Sequence, residues 1–238
     1  MPHNNYFQFK QFKIIQEKAA MKVNTDGVLL GAWTNLEGVK TAIDIGAGTG
    51  LIALMLAQRC DAQITGVEIE KNAAEEAVQN VQNSKWGNRV SIQNTSFQEF
   101  VAVNESKFDL IITNPPFFSN SVKNSNPNLS IARHNQMLPF ADIIAGAVKL
   151  LAETGKLALI LPYAESKDFV EKAGVKALFL NRLTEIKPFP HKNLNRCLME
   201  FGQSEKVLQK SQLSVFGDSK IDYSKEFINL TRDFYLKH

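Results

Sequence analysis

Asp44-Ile45-Gly46-Ala47-Gly48-Thr49-Gly50 is the stretch on which the reading of this chain turns. The run that leads into it, Thr41-Ala42-Ile43-Asp44-Ile45, is apolar and of strand length, and Leu51 to Gln58 continues as a helix. Glycines at 46 and 48 let the backbone turn sharply, and they leave free the space that a β-carbon would take from a ligand. A dinucleotide-binding loop, G-x-G-x-x-G, lays a pyrophosphate on the helix N-terminus. Here the third glycine, Gly50, comes one residue early, so the loop is of a different kind.

From Lys40 onward, short apolar runs alternate with amphipathic ones, the pattern of a parallel sheet covered on both faces. Strands are predicted over 41–45, 63–67, 89–93, 108–113 and 156–161, with helices over 51–58, 72–82 and 139–151. Ala73, Ala74, Ala77, Val78 and Val81 recur at helical spacing, and Pro162 ends the fifth strand. The runs 177–187 and 194–201 flank the turn-rich Pro188-Phe189-Pro190-His191-Lys192-Asn193 and are read as an antiparallel pair. The expected fold class is therefore α/β and Rossmann-like, a seven-stranded, mostly parallel sheet with an antiparallel last strand and helices on both faces.

Residues 1–35 are read as a cover segment and 36–238 as a single globular unit. Phe7-Gln8-Phe9 and Ile14-Ile15 alternate imperfectly and suit a short hairpin or an irregular cover over the core. Thr25 or Asp26 can cap a helix carrying Val28, Leu29 and Trp33, and Thr25 is also a candidate cofactor contact. Near the end, Phe227, Leu230, Thr231 and Phe234 share one face of a helix capped by Ser224 and reaching Leu236. The stretch 119–130, rich in Asn and Ser, is too polar to pack and is read either as a simply disordered surface loop or as one that closes over substrate.

With 238 residues the chain can bury a substantial core, and at 44% hydrophobic and 21% charged it has the composition of a globular protein. It holds no apolar stretch near membrane-spanning length and no secretory signal at its start, so a cytoplasmic location and no membrane partner are expected. Cys60 and Cys197 stand far apart, outside any Cys-x-x-Cys spacing, which argues against a disulfide framework or a metal site. The net charge of +3 is unevenly spread. Lys10, Lys13, Lys18 and Lys22 face only Glu17 near the start, and Lys176, Arg182, Lys187, Lys192, Arg196, Lys206 and Lys210 outnumber Glu185, Glu200 and Glu205. Basic flanks suit a phosphate-bearing partner and an ordinary solvated surface equally well, so they serve as a supporting cue.

A second motif, Asn114-Pro115-Pro116-Phe117, closes the apolar run that starts at Phe108. Proline cannot donate to a sheet ladder and restricts the residue before it, so the strand stops abruptly there. The rigid corner fixes the Asn114 amide, the Pro115 carbonyl and the Phe117 ring, three groups that suit a flat base carrying an amino group.

The spacing Asp44-x-Gly46-x-Gly48-x-Gly50 resembles the first motif of class I S-adenosylmethionine-dependent methyltransferases, and Asn114-Pro115-Pro116-Phe117 resembles the amino-methyltransferase signature Asn-Pro-Pro-aromatic. The resemblance implies S-adenosylmethionine as cofactor and a ribose contact at Glu68. It also implies an adenine contact after the third strand, where an acidic residue is usual; this chain has Asn94-Thr95-Ser96, and Ser96 or Asn94 is the candidate. Across Phe7 to Phe12, Ala20 to Trp33, Ala132-Arg133-His134 and Leu230 to Leu236 the chain is similar to the bacterial tRNA1(Val) adenine-N6-methyltransferases, which act on the adenosine 3′ of the anticodon.

That likeness implies catalysis by Asn114, Pro115 and Phe117, with no metal. Donor contacts would come from Asp44, Gly46, Gly48, Gly50, Glu68 and Ser96, and, by its position before the glycine motif, from Thr25; Arg133 and His134 would meet a phosphate or the base, and Lys187, Lys192 and Arg196, by their charge and their position near the strand ends, would hold the phosphates of the anticodon loop of tRNA. A monomer is expected. The two short motifs are also shared by DNA and rRNA amino-methyltransferases and by release-factor glutamine methyltransferases, and a non-enzymatic RNA chaperone that binds S-adenosylmethionine stands as a further alternative.

Overall fold

The computed structural model describes residues 5–116, 138–219 and 222–237. Strands β1 (Tyr6–Gln8) and β2 (Lys13–Ile15) form an antiparallel hairpin, which resolves the choice between hairpin and irregular cover. Helix α1 (Thr25–Trp33) follows. Its cap is Asn24, whose side-chain oxygen accepts the Gly27 N–H at 2.8 Å, so the expected cap at Thr25 or Asp26 is corrected by one residue.

The central sheet then builds in alternation: β3 (Thr41–Ile45), α2 (Leu51–Arg59), β4 (Gln63–Glu68), α3 (Lys71–Gln82), β5 (Val90–Asn94), α4 (Phe97–Val103) and β6 (Phe108–Thr113). After these come α5 (Phe140–Leu150), β7 (Leu151–Pro162), α6 (Tyr163–Val175), β8 (Phe179–Lys187), β9 (Arg196–Gly202), β10 (Gln209–Ser214) and α7 (Lys225–Thr231). The strand order is β10-β8-β9-β7-β6-β3-β4-β5. Only β9 runs against its neighbours; every other pairing in this sheet is parallel.

Alternation along the inner strands divides the core between the two faces of the sheet. Ala42, Leu110, Ile112, Ala158 and Ile160 point towards α1 and α2, whereas Ile43, Ile111, Leu157, Leu159 and Leu161 point towards α4, α5 and α6. Both faces are covered, so these strands read as continuous apolar runs. Helix α2, with every residue from Leu51 to Ala57 buried, lies inside the larger half.

Three elements escaped the sequence reading. Strand β10 makes an eighth strand in a sheet expected to have seven. It sits at the edge, paired only with β8, and most of its side chains are exposed, so it lacks the apolar signal of an inner strand. Helices α4 and α6 are not among the predicted helices, although Ser96 and Glu99 form a capping box at the start of α4. The last helix is shorter than expected: Ser224 does cap it, but helical bonding ends at Thr231. The stretch 119–130 lies outside the described residues.

Candidate active site

In the sheet, β3, β4 and β5 step one way from the centre while β6 and β7 step the other, so a crevice opens between the carboxyl ends of β3 and β6. Ligands of open α/β sheets bind at such a switch point. The glycine loop leaves β3 there and Asn114 leaves β6 there; Thr113 Oγ ties the two ends together by donating to the Ile45 carbonyl at 3.0 Å.

Gly46, Gly48 and Gly50 all have positive φ, at 68°, 55° and 81°, a backbone region that side chains rarely tolerate. A β-carbon at Gly46 would meet nothing within 4 Å, and one at Gly48 would find only the Gly46 carbonyl at 4.0 Å. These two glycines therefore border open space, while Gly50 backs onto α3, where a β-carbon would stand 3.5 Å from Ala77. The loop is an open cradle at the start of a helix and fits the donor implied by the motif.

Two carboxylates hold the cradle. Glu68, buried at the end of β4, accepts the Gly48 N–H on Oε2 at 2.8 Å and the Glu70 N–H on Oε1 at 2.8 Å. A carboxylate offers about four acceptor positions, so capacity remains for hydroxyl donors. Asp44 is fully buried, and its Oδ2 accepts the Ala53 N–H at 3.0 Å, which supplies α2 with the cap that Gly50 cannot give. Its Oδ1 has no partner among the described residues. Burial pushes the Asp44 carboxyl up to about 7, against the Ala53 hydrogen bond and with some help from the charge of Glu68.

Across the crevice, the Asn114 side-chain oxygen is also buried without a partner among the described residues, and Pro115 behind it is buried. A buried polar atom with no bond is uncommon and costs free energy, so it marks a place where a donor group is awaited. The first turn of α1 closes the other side: a β-carbon on Gly27 would stand 3.8 Å from Asn114 Nδ2 and 3.1 Å from the Leu51 side chain. Gly27 thus lets α1 press against both the amide corner and the helix that follows the glycine loop.

The remaining expected site residues are distributed differently. Thr25 is exposed on the first turn of α1. Ser96 stands at the same edge of the sheet, but its hydroxyl is bonded to Glu99 within the capping box, and the Asn94 amide donates to the Glu68 and Ile69 carbonyls. Arg196, at the start of β9, donates from Nε to Asp26 Oδ2 at 2.8 Å. Lys187 donates to the Pro190 carbonyl at 3.4 Å, and Lys192 is exposed on the same connection. Phe117, Arg133 and His134 lie outside the described residues. Asn24 and Gly27 were missed by the sequence reading, and so were Glu76 and Asn80 on α3. The signal for the last two was present, since they interrupt an otherwise apolar helical face four residues apart.

A glycine cradle, a carboxylate with acceptor capacity to spare and an amide corner thus stand together at one switch point of a Rossmann-like sheet. The methyltransferase small domain family model matches residues 27–173, and solved methyltransferases share the fold. One, a predicted O-methyltransferase from Agrobacterium tumefaciens, aligns with a TM-score of 0.70 at 19% identity over 88% of this chain and 96% of its own. Another, TYW2 from P. horikoshii in complex with MeSAdo, aligns with a TM-score of 0.56 over 84% of this chain and 71% of its own at 12% identity.

The chain belongs to the family of tRNA1(Val) (adenine(37)-N6)-methyltransferases: a relative of that name from Trichodesmium erythraeum is 45% identical over 98% of this chain and 99% of its own. One from Pseudoalteromonas translucida is 43% identical over 97% and 98%. The chain is accordingly a methyltransferase whose methyl donor is S-adenosylmethionine.

Proposed function

We propose that this protein methylates N6 of the adenosine immediately 3′ of the anticodon in a tRNA. The observation that carries the reading is the buried Asn114 oxygen, unpartnered among the described residues, at the end of β6 beside the strand end that carries the glycine cradle. The N6 lone pair of adenine is delocalised into the ring and is a poor nucleophile. Asn114 Oδ1 accepts one amino hydrogen and the Pro115 carbonyl the other, which localises the pair on nitrogen. Phe117 stacks on the base. When bound, S-adenosylmethionine supplies an activated methyl on a sulfonium. Held by the glycine loop and Glu68, the donor would supply that methyl to the nitrogen, and the methylated amine would give up a proton to water. Positioning and hydrogen bonds directed at developing charge supply the rate.

On the donor side, Glu68 takes the ribose hydroxyls, the loop from Asp44 to Gly50 cradles the donor, and Thr25 borders it. Ser96 would have to leave its capping box to reach an adenine. On the acceptor side, Lys187, Lys192 and Arg196 follow one another along the active-site edge of the sheet and suit the phosphates of an anticodon loop, with Arg133 and His134 as further contacts. A loop base is comparatively easy to extrude, as chemistry on its amino group demands. The protein acts as a cytoplasmic monomer, with residues 1–35 covering a single catalytic unit over 36–238; no helix among the described residues is long and apolar enough to cross a membrane.

Incubation with methyl-labelled S-adenosylmethionine and separate pools of tRNA, DNA and release factor tests the reading. Label confined to tRNA, recovered as N6-methyladenosine next to the anticodon, is the expected result. Label in release factor would point to glutamine, and label nowhere to a binding protein.

A further inference from the structure

Helix α3 carries two buried polar side chains, Glu76 and Asn80, that the transfer reaction does not use. Glu76 Oε1 accepts the backbone N–H groups of Glu17 at 2.6 Å and Lys18 at 3.0 Å, and its Oε2 accepts that of Ala19 at 3.1 Å. Three successive N–H groups form an anion-binding nest, and the protein fills it with its own carboxylate. Asn80 Oδ1 accepts the Ile15 N–H at 2.8 Å, while its Nδ2 donates to the Ile15 carbonyl at 2.9 Å and to the Thr49 carbonyl at 3.0 Å. One amide therefore ties β2 directly to the glycine loop.

The segment between β2 and α1 is irregular, and the side chains of Glu17, Lys18, Ala20, Met21 and Lys22 are exposed. It has no sheet ladder to hold it. Glu76 holds it at one end, beside the Gln16 N–H donating to the Asn5 carbonyl at 2.8 Å and Lys18 paired with Glu75 at 4.0 Å, and towards the other end Gln16 Oε1 accepts the Val23 N–H at 2.8 Å. The next residue is Asn24, the cap of α1, and Gly27 one turn on stands against Asn114 and Leu51.

We infer that Glu76 and Asn80 are positioning residues that set residues 16–24 as a wall of the donor site, so that donor binding and the order of this strap support each other. The inference rests on the placement of the donor at the glycine loop given above. A carboxylate is needed at position 76 because three converging donors require more acceptor positions than a side-chain amide oxygen has, and the NH2 of a glutamine would face an N–H. Linkage follows from geometry: whatever the donor gains from the strap, the strap gains from the donor.

Trypsin reads the strap through its two exposed lysines, Lys18 and Lys22. S-adenosylhomocysteine, the demethylated product, is the probe. In the unaltered protein it is expected to slow cleavage at these two sites. Glu76→Gln and Asn80→Ala are each expected to speed cleavage and to weaken binding of the probe about tenfold, the worth of one well-made hydrogen bond, as measured by calorimetry. The KM for S-adenosylmethionine should rise while that for tRNA stays unchanged, which a general loss of stability would not produce.

Cleavage in the unaltered protein that ignores the probe overturns the inference, with no variant needed. So does a variant strap that opens with the probe still bound at full affinity, or one that stays closed. Gly48→Val separates this from the placement itself: full binding of the probe by that variant would remove the donor from the loop and the inference with it, whereas lost binding leaves the strap results to stand alone.

Discussion

The two halves of the sheet's carboxyl edge are built on opposite plans. Around β3 and β4 the polar groups are buried and bonded to the backbone: Glu68 to the Gly48 N–H, Asp44 to the Ala53 N–H, Asn80 to the Thr49 carbonyl. Around β7, β9 and β8 they are long, cationic and at least partly open to water, with Arg196 sharing Asp26 and Lys192 fully exposed. The first plan suits a small ligand of fixed shape, because groups held in place need no reorganisation when it arrives. The second suits a charged polymer, whose phosphates are gripped through counterion release and not through fixed geometry. Asn114 stands on the boundary, where the proposed transfer would take place.

The sharpest break between the halves is expected at that boundary. Asn114→Ala should lower the rate of transfer by about two to three orders of magnitude, the cost of a lost transition-state hydrogen bond, while S-adenosylhomocysteine and tRNA still bind. Turnover near normal in single-turnover assays would remove the amide from the reaction. Next in size, Glu68→Ala should weaken S-adenosylhomocysteine about 10- to 100-fold by removing the carboxylate that serves both loop and ligand. Titration at low and high salt should give the same loss.

The cationic half should answer in the opposite way. Replacing Lys187, Lys192 and Arg196 together by Ala should leave S-adenosylhomocysteine affinity alone and reduce the slope of log K for tRNA against log salt by about 2. An unchanged slope in filter binding across a salt series would exclude this surface from the interface.

A further prediction concerns stability rather than binding or turnover. Asp44 titrates higher in the folded protein, about 7, than its ordinary value of 3.8, so between those values the folded state holds the extra proton. The contribution of this group is therefore fully present below about 3.8, declines as pH rises towards 7 and is lost above it. Asp44→Asn keeps an acceptor for the Ala53 N–H and removes the charge, and denaturant unfolding between pH 4 and 7 should lose that decline. Persistence of the same slope would place its origin elsewhere.

Local chemistry explains which parts were legible. The loop from Asp44 to Gly50, the strand stopped by Pro115-Pro116 and the apolar runs of β3, β6 and β7 announce themselves because each depends on residues adjacent in sequence. Edge strand β10 was silent because a strand with one neighbour and exposed side chains needs no apolar alternation. Ser96 was read towards the cofactor when its spacing to Glu99 already spelled a helix start. Arg196 was read as an open cation because its partner, Asp26, is remote in sequence.

Sequence by itself determined the class of fold, the donor loop and the amide corner, since strand, turn and helix preferences act over a few residues and leave their pattern in the chain. Tertiary structure alone decided that the Asn114 oxygen is buried without a bond among the described residues, that Gly27 brings α1 against the Asn114 amide, and that Glu76 and Asn80 hold the N-terminal strap. Those facts depend on contacts between segments distant in sequence, and burial and hydrogen bonding of that kind exist only once the chain has folded.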